Sequence, residues 1–430
     1  MEKRNRRSIK HFVKHLECEQ CHARYEVGIT VNTCPKCGGL LDVKYDYDTL
    51  ISEDRVKILK NPTRDFIENS NLWKYIDFLP HPNKEANIIT LGEGGSPVIK
   101  LKRLSEATKV NIYAKYYGTN PTGTHKDLGM SIAVSMAKEA GIKYAISFST
   151  GNAAASLATY SNVAGIIPII IIRDNISLEK LYHLKALGCN IIQISGLKDP
   201  WSLLDYLHKK IDIYSFVNFI NPYRAEGHKS LAYDAYLSIK EKIDYVVVPL
   251  GTGGGLYGAW KGFKELKEFG LMNSLPKMIA VQPEAVMHTV IAFKEKRMKA
   301  EAYGDGSKTI VQSLADSEPL YGATRPLKVL YESNGDAVAV SDEEVRKAIL
   351  ELGREGFFVE PAAASTLAAL MREMNDKKVD RGDNVVLSLT GTGLKQPDAM
   401  GSFGGEVNKF SLDDLDKIVS FIKSLINSTF

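Results

Sequence analysis

Residues 127–172 of the chain read DLGMSIAVSMAKEAGIKYAISFSTGNAAASLATYSNVAGIIPIIII. From Asp127 to Ala140 the apolar residues recur every three or four positions, which predicts an amphipathic helix. The next three segments are predicted to be a strand, a helix and a second strand: Lys143–Phe148, Gly151–Ala164 and Ile166–Ile172. Because both strands are almost entirely apolar, we expect them in a parallel sheet that helices cover on both faces. The stretch therefore indicates the α/β fold class.

The alternation of strands and helices continues towards the carboxyl end of the chain. The further predicted elements are a helix at Leu178–Leu187 and strands at Asn190–Ile194, Tyr245–Leu250, Met278–Gln282 and Val385–Leu389. Ser341 followed by Glu344 forms a capping box, which predicts a helix that extends through Leu352. Residues 301–334 are richer in glycine, serine and charge, and they are predicted to contain a long surface excursion.

The overall composition is that of a soluble globular protein with two or three domains. Of the 430 residues, 44% are hydrophobic and 25% are charged. A net charge of +4, spread over 55 basic and 51 acidic residues, gives no reason to expect a nucleic-acid partner. The longest aliphatic run, Ile166–Ile172, contains Pro168 and is too short to span a membrane. The basic amino terminus lacks the apolar stretch of a secretory signal, and we expect a cytoplasmic protein.

Four of the five cysteines form two closely spaced pairs near the amino terminus. Two residues separate the members of each pair and twelve residues separate the pairs: Cys18, Cys21, Cys34 and Cys37. Four thiolates on two such turns can complete a tetrahedral metal site, which predicts structural zinc, or iron in a rubredoxin-like site. Two disulfides are the alternative, which a reducing compartment disfavours. Cys189 stands alone and is predicted to be a core residue.

Three polar or glycine-rich loops directly follow predicted strands. They are Ser149-Thr150-Gly151-Asn152, Gly251-Thr252-Gly253-Gly254-Gly255 and Thr390-Gly391-Thr392-Gly393. In open parallel sheets the ligand site lies at the carboxyl ends of the strands. The first two loops also open a predicted helix, whose backbone N–H groups can bind an anion. The sequence therefore predicts a site that binds a phosphate group.

Two missing motifs argue against a nucleotide as the phosphate ligand, and one lysine favours an aldehyde cofactor. The chain has no G-x-x-x-x-G-K-[ST] sequence for a nucleoside triphosphate, and residues 251–255 do not follow the G-x-G-x-x-G pattern. Lys126 precedes a predicted helix in the segment NPTGTHKD, residues 120–127. A lysine at the mouth of such a site can form an imine with an aldehyde cofactor if burial lowers its pKa. Taken alone, Lys126 would be an ordinary surface lysine.

Eight short segments match, in order, the motifs of one enzyme family. They are LGEGGSP (91–97), NPTGTHKDLGM (120–130), STGN (149–152), NPYRAEGHKS (221–230), VPLGTGG (248–254), WKGF (260–263), VEPAAA (359–364) and LTGTGLKQPD (389–398). The chain resembles the fold-type II pyridoxal-phosphate enzymes, which are tryptophan synthase β-like, and within them the threonine synthases. The resemblance covers roughly residues 88–400 and implies two domains built on open twisted parallel sheets.

The resemblance implies a role for each loop. Lys126 would bind pyridoxal 5′-phosphate as a Schiff base and act as the general base at Cα. The implied cofactor-binding residues are Asn152 at the 3′-oxygen, Thr390 at the pyridine nitrogen and, at the phosphate, Gly251, Thr252, Gly253, Gly254 and Gly255. The implied substrate-binding residues are Ser149, Thr150, Gly151 and Ala153. His125, which stands where the family has phenylalanine, is predicted to bind the substrate because it precedes Lys126.

The implied reaction is that of a threonine synthase, a carbon–oxygen lyase. Phosphate is eliminated from the γ-carbon of O-phospho-L-homoserine, and water adds at the β-carbon to give L-threonine. The chain departs from the family pattern at Leu128, where the family has an arginine suited to a substrate phosphate. His125 and His228 are additional titratable groups, which could supply the missing positive charge at mildly acidic pH or act as an extra acid or base.

Two other functions remain open on the sequence. Leu128 is compatible with a paralogue that catalyses another elimination or β-replacement, such as a serine or threonine deaminase or a synthase that uses phosphoserine. The cysteine segment could instead bind nucleic acid or protein, but with Arg24 and Lys36 it has no dense basic stripe.

The predicted domain organisation has three parts. They are a zinc-ribbon-like segment at 1–45, a large cofactor-binding domain formed by 46–111 and 206–430, and a small mobile α/β domain at 112–205. The resemblance also implies a homodimer that acts on a small amino acid.

Overall fold

The fold is described from a computed structural model, which describes residues 9–28, 30–60, 71–149, 151–173, 178–195, 203, 206–207, 209–211, 214–216, 220–401 and 407–428. Within these ranges the strands are β1 (Val13–Cys18), β2 (Arg24–Tyr25), β3 (Leu41–Tyr45), β4 (Val98–Lys100), β5 (Asn111–Tyr116), β6 (Tyr144–Phe148), β7 (Ile167–Arg173), β8 (Asn190–Ile194), β9 (Tyr214–Ser215), β10 (Tyr245–Pro249), β11 (Lys277–Pro283), β12 (Asp336–Val340) and β13 (Asn384–Leu389). The α-helices are α1 (Tyr47–Ser52), α2 (Lys102–Thr108), α3 (Lys126–Glu139), α4 (Asn152–Ala164), α5 (Leu178–Ala186), α6 (Ser230–Ser238), α7 (Gly254–Glu268), α8 (His288–Lys294), α9 (Thr324–Glu332), α10 (Asp342–Arg354), α11 (Pro361–Asn375) and α12 (Leu415–Ser428).

The strands and helices predicted from the alternating pattern are confirmed, with small differences at their ends. The capping box at the start of α10 is confirmed as well. The hydroxyl oxygen of Ser341 accepts a hydrogen bond from the N–H of Glu344 at 3.3 Å, and the carboxylate of Glu344 accepts one from the N–H of Ser341 at 2.7 Å. These reciprocal bonds satisfy donors that the first turn of a helix leaves free.

The larger sheet has six strands in the order β12-β11-β10-β13-β5-β4. Its pairs are parallel except the edge pair of β4 and β5. Strand β13 is buried along its whole length, as expected of a central strand covered by helices on both faces. The antiparallel edge was not predicted, because β4 is only three residues long and gives no periodic signal.

The smaller sheet has four parallel strands in the order β8-β7-β6-β9. It includes residues 214–215, whereas residues 111–116 belong to the larger sheet. The chain therefore passes from one sheet to the other after residue 116 and returns after residue 215, and not at the predicted positions 112 and 205. The division into domains and the mobility of the smaller one stay predictions.

The predicted surface excursion at 301–334 is confirmed for the first part of that segment, since residues 301–305, 307 and 308 are exposed. Residues 304–307 and 312–321 also line a large cavity, and residues 324–332 form α9. Asp342 holds the segment in place, because its carboxylate accepts hydrogen bonds from the hydroxyl of Thr309 at 2.6 Å and from the N–H of Ile310 at 3.0 Å. The composition of the segment could not predict these contacts, because Asp342 belongs to α10 and lies outside the segment.

The cysteine segment forms a small antiparallel sheet in the order β2-β1-β3, here called the ribbon (residues 13–45). A buried ion network joins it to α7. The ammonium group of Lys261 lies 2.9 Å from Asp42 Oδ1 on β3 and 2.7 Å from Glu226 Oε1. The hydroxyl of Tyr45 donates to Glu226 Oε2 at 2.6 Å. Burial alone would lower the pKa of Lys261, but the charges of Asp42 and Glu226 raise it above its usual value.

Residues 400–430 form a compact unit of their own. Its helix, α12, exposes several apolar side chains: Leu415, Val419, Ile422 and Ile426. Among the described residues, none of the helices has both the length and the apolar character needed to cross a bilayer.

The ion network predicts a large difference between two neighbouring lysines of α7. In Lys261→Met the buried carboxylates of Asp42 and Glu226 lose the cation that they share and keep Lys44 and Lys229 as ion-pair partners. Loss of one partner of a buried pair costs up to about 3–5 kcal/mol. In the control Lys264→Met only a half-exposed pair with Glu332 is lost, which costs at most about 1 kcal/mol. Urea unfolding measures both values, and equal losses in the two variants would contradict the network.

Candidate active site

A cavity of about 1580 Å³ lies at the carboxyl ends of strands from both sheets. Residues from the loops after β5, β6, β10 and β13 line it: Tyr117, Ser149, Gly251 and Thr390. The cavity also brings together the other described residues that were predicted to bind the cofactor or the substrate: His125, Lys126, Gly151, Asn152, Ala153, Thr252, Gly253, Gly254 and Gly255. Thr150 lies outside the described residues. The individual roles of these side chains stay predictions.

Lys126 is the first residue of α3, and the residue after it anchors the helix start. The buried carboxylate of Asp127 accepts hydrogen bonds from the N–H and the hydroxyl of Thr122, at 2.7 and 2.6 Å. It accepts a third, at 2.7 Å, from the hydroxyl of Ser156 on α4. Burial raises the pKa of Asp127 to about 6, against the effect of these hydrogen bonds. The carboxylate therefore fixes the loop before Lys126 relative to α4.

A second buried side chain, Asn120, holds the beginning of the same loop. Its carbonyl oxygen accepts from the N–H of Gly94 at 3.1 Å, and its amide donates to the carbonyl oxygen of Thr124 at 2.8 Å. Thr124 also pairs with Gly391 in an isolated antiparallel bridge. The loop is thus fixed at both ends and against the loop after β13.

The side chain of Lys126 is partly buried in the cavity wall, and desolvation there lowers its pKa to about 8. Desolvation is the largest cause, and the positive charge of Arg224 adds to it, while Glu360 and Asp316 act in the opposite direction. Burial lowers the pKa of Arg224 to about 10, so this guanidinium stays charged at neutral pH. Near pH 8 roughly half of the Lys126 amine is neutral, and a neutral amine can act as a nucleophile or as a base.

Residues 251–255 connect β10 with α7 as a loop with almost no side chains. Gly253 has φ +94°, and a side chain there would overlap the ring of Pro326. The first N–H groups of α7 have no acceptor within the helix. A cradle of backbone donors at a helix N-terminus is suited to a phosphate group, and the cavity lining at this loop therefore fits the phosphate of pyridoxal phosphate.

Asn152 and Thr390 both donate hydrogen bonds to one carboxylate, that of Glu360. The distances are 2.8 Å from Asn152 Nδ2 to Oε2 and 3.3 Å from Thr390 Oγ1 to Oε1. Glu360 is 2% exposed, and burial raises its pKa. It precedes the first residue of α11, where the helix dipole favours a negative charge. Glu360 therefore connects the loop after β6 with the loop after β13.

Glu360 was not predicted as a site residue. It lies in the quoted segment VEPAAA, where a glutamate before proline is typical of an ordinary helix start. The available signal was its position in an otherwise apolar stretch, because an acidic residue among buried neighbours needs a specific partner.

His125 and His228 lie beside each other, with ring centroids 5.1 Å apart. Burial is the largest cause of a lowered pKa in both rings, and the charge of Lys126 lowers both further. The pKa of His228 falls to about 3. The expectation that these residues supply positive charge at mildly acidic pH is therefore wrong. Nδ1 of His125 lies 3.2 Å from the carbonyl oxygen of Thr390, which makes Nδ1 the donor of a neutral ring.

Leu128, where the family has an arginine, lies fully buried in the hydrophobic core and does not line the cavity. The neighbouring Gly129 lets the backbone of α3 approach the carbonyl oxygen of Arg224, which a side chain at this position would overlap. The guanidinium of Arg224 is close enough to lower the pKa of Lys126. The charge of Arg224 therefore acts on Lys126 in spite of the leucine, although Arg224, like Leu128, does not line the cavity.

The ribbon forms part of the cavity wall, which the sequence did not predict. The residues concerned are Thr30, Val31, Asn32, Thr33 and Pro35. The N–H of Gly28 donates to the hydroxyl of Tyr223 at 2.9 Å, and the side-chain amide of Asn32 donates to the carbonyl oxygen of Ser215 at 2.9 Å. The ribbon is thus attached to the segment that returns from the smaller sheet to the larger one.

The four predicted metal ligands lie together in the ribbon. The sulfur atoms are 3.4 Å apart in Cys18 and Cys37 and 3.5 Å apart in Cys21 and Cys34, and all four lie within 4.8 Å of one another. None of them is in a disulfide. In a tetrahedral site with metal–sulfur bonds of about 2.3 Å, neighbouring sulfurs are about 3.8 Å apart. The cluster is therefore suited to hold one metal ion.

Comparison with known sequences identifies a family and close relatives. A family profile described as "Pyridoxal-phosphate dependent enzyme" matches residues 89–391. The threonine synthase of Methanocaldococcus jannaschii is 36% identical over 387 residues, which cover 89% of this chain and 93% of that protein. The threonine synthase of Methanosarcina acetivorans is 35% identical over 390 residues, which cover 89% and 92%.

Solved structures share the fold at lower sequence identity. Maize serine racemase aligns with a TM-score of 0.60 at 17% identity, covering 78% of this chain and 94% of that one. Threonine deaminase isoform 2 from Solanum lycopersicum aligns with a TM-score of 0.59 at 19% identity, covering 76% and 82%. These similarities support the fold-type II architecture of the two sheets.

The electrostatics of the cavity predict the titration of Lys126. In protein freed of pyridoxal phosphate, the rate at which Lys126 reacts with an amine-modifying reagent should rise with pH around a midpoint of about 8. Arg224→Gln removes a cation that disfavours the charged amine, so the midpoint should move to higher pH, whereas Arg224→Lys should leave it nearly unchanged. Peptide mass spectrometry measures the modification. An unchanged midpoint in Arg224→Gln would refute the coupling.

Proposed function

Because the chain belongs to the pyridoxal-phosphate dependent enzymes, and to the threonine synthases among them, we propose that it converts O-phospho-L-homoserine and water into L-threonine and phosphate. The enzyme would act as a carbon–oxygen lyase. The observation that supports this most strongly is the cavity itself, in which an amine with a pKa of about 8 and a glycine-rich loop at a helix N-terminus lie together.

The residues that would hold the cofactor come from the four loops after β5, β6, β10 and β13. Lys126 would bind its aldehyde carbon, residues 251–255 its phosphate, and Asn152 and Thr390 its ring. When bound, pyridoxal phosphate would supply an electron sink, which makes the protons on Cα and Cβ of the substrate removable. Glu360 would keep Asn152 and Thr390 in position, since it accepts a hydrogen bond from each of them.

Lys126 would move the protons of the reaction. A γ-elimination with β-addition requires a base that removes protons from Cα and Cβ, and an acid that returns protons to Cγ and Cα. An amine with a pKa of about 8 exists in both protonation states near neutral pH, and can therefore do both. The γ-carbon loses its bond to the phosphate oxygen and gains one proton, which completes the methyl group. The β-carbon loses one proton and gains the hydroxyl group of water. Of the two protons released by Cβ and by water, one therefore goes to Cγ and the other leaves with the phosphate.

Positive charge near Lys126 would favour a substrate that carries phosphate. Arg224 stays protonated at neutral pH, and a guanidinium is well suited to phosphate oxygens. The substrate carboxylate would bind at the start of α4, through Ser149, Thr150, Gly151 and Ala153, where backbone N–H groups and the helix dipole favour an anion. His125 would contribute a neutral donor or acceptor to the wall next to them.

The smaller sheet would move as a unit when substrate binds. It carries α4 and the loop at Ser149, and Asp127 fixes the loop before Lys126 to α4. Closure of this region over the loop at 251–255 of the larger sheet would exclude water until the γ-phosphate has left. The predicted small domain, residues 112–205, is the part for which we propose this mobility.

The ribbon would bind structural zinc. Four cysteine sulfurs within 4.8 Å of one another fill a tetrahedral coordination shell and leave no position for substrate, which is typical of a structural site. Unpaired thiols of this kind persist in a reducing compartment, which supports a cytoplasmic enzyme. The family resemblance supports a homodimer, and sedimentation analysis measures its mass.

The proposed activity is tested with O-phospho-L-homoserine and the enzyme loaded with pyridoxal phosphate. We expect phosphate and threonine to form in equal amounts. Lys126→Ala should lower kcat by a factor of roughly 10² or more, because the base is lost, while the control Lys138→Ala, towards the other end of α3, should retain activity. Formation of ammonia and a 2-oxo acid from serine or threonine, without turnover of phosphohomoserine, would indicate a deaminase instead.

The metal proposal is tested by elemental analysis. The purified protein should contain one zinc ion per chain, and Cys34→Ser should lose it, since three thiolates bind zinc more weakly than four. Cys189→Ser is the matched control, because this cysteine lies outside the cluster and contacts the carbonyl oxygen of Leu184. If the protein contains iron and absorbs visible light through its thiolates, the site is rubredoxin-like and not a zinc site. If Cys34→Ser keeps its full metal content, the cysteine cluster is not the metal site.

A further inference from the structure

A second, smaller cavity of about 220 Å³ lies beside the catalytic cavity. Its lining residues are Gly151, Asn152, Ala155, Lys180, His183, Leu184, Leu394 and Lys395. Three of them, Gly151, Asn152 and Lys180, also line the catalytic cavity. At ~30 Å³ per water molecule, the space accommodates a tetrahedral anion together with water.

The polar side chains of this cavity are all basic except Asn152. The ammonium group of Lys395 lies 3.1 Å from Nδ1 of His183, so His183 accepts a hydrogen bond there and its proton lies on Nε2. Lys180 is near enough for its charge to lower the pKa of Lys395, for which burial is the largest cause. Among the described residues, neither lysine has a carboxylate within 4.0 Å.

The nearest acidic groups do not neutralise this cluster. The charges of Glu360 and Asp127 favour the protonated form of Lys395, but only at longer range. The carboxylate of Glu360 accepts from Asn152 and Thr390, and that of Asp127 accepts from groups on the loop before Lys126 and on α4. The cavity therefore keeps an excess of positive charge.

The start of α4 adds to the attraction for an anion. Gly151 and Asn152 form the beginning of this 13-residue helix, and both line the smaller cavity. The free N–H groups of a first helical turn carry partial positive charge. Because these N–H groups would bind the substrate carboxylate, the donors available to a phosphate are the two lysines and the Nε2 of the histidine.

We propose that Lys180, His183 and Lys395 form a binding site for inorganic phosphate, which receives the phosphate released in the catalytic cavity. The assignment of the anion to the reaction product rests on the proposed function. The site itself rests on the cavity and the cation cluster. Because it shares Gly151, Asn152 and Lys180 with the catalytic cavity, the site lies directly beside the place where phosphate would be released.

Direct binding of inorganic phosphate to the holoenzyme tests the site without any turnover. Phosphorus-31 NMR titration should show that Lys395→Gln and Lys180→Gln each weaken binding by roughly ten-fold or more, because a charge-assisted hydrogen bond is lost. Lys395→Arg keeps the charge and should retain most of the affinity. The control Lys294→Gln changes an exposed lysine on α8 and should bind phosphate as the unchanged protein does. Equal affinity in all four variants would overturn the site.

Inhibition of threonine formation by inorganic phosphate shows whether the site binds the released phosphate or the phosphate group of the substrate. Inhibition that is not competitive with phosphohomoserine, and that Lys395→Gln relieves without raising KM, supports a site for released phosphate. Competitive inhibition, with KM raised in Lys395→Gln, means that the cluster binds the phosphate of the substrate and overturns the assignment to the product. An enzyme that forms no threonine but still binds phosphate through Lys395 would refute only the proposed function.

Discussion

The position of the reactive amine depends on one buried carboxylate, that of Asp127. A carboxylate in an apolar environment is costly unless donors compensate for lost water, and here three hydrogen bonds do so. Two of the donors belong to Thr122 and the third to Ser156 on α4. The same charge therefore joins the loop that carries Lys126 to the helix that begins at Asn152. These three hydrogen bonds therefore fix the position of Lys126 relative to the start of α4 in the cavity wall.

Much of the fold could be predicted because its signals are local. The helices and strands from 127 to 194 follow directly from the spacing of apolar residues, and the capping box at Ser341 identified a helix start. The loops after Phe148, Leu250 and Leu389 were predicted to meet, since the carboxyl ends of parallel strands lie at the same edge of a sheet. In the structure, residues from all three loops line one cavity.

The features that could not be predicted depend on tertiary burial. Glu360 accepts a hydrogen bond from Asn152, 208 positions earlier in the chain, and no local pattern connects the two. Leu128 suggested a missing charge, but the position lies in the core, and the cation near Lys126 comes from Arg224. The two histidines suggested a positive charge, which desolvation removes.

The contact between the ribbon and the cavity has a consequence for how such a protein can evolve. Small metal-binding modules are often gained, lost or exchanged between genes as independent pieces. In this chain residues 30–33 and 35 form part of the wall around the reacting groups, and Asp42 is neutralised by Lys261 in the body. Deleting the module would open the cavity wall and remove one of the two carboxylates that lie against Lys261. The ribbon and the catalytic body are therefore expected to be inherited together, with changes in one matched by changes in the other.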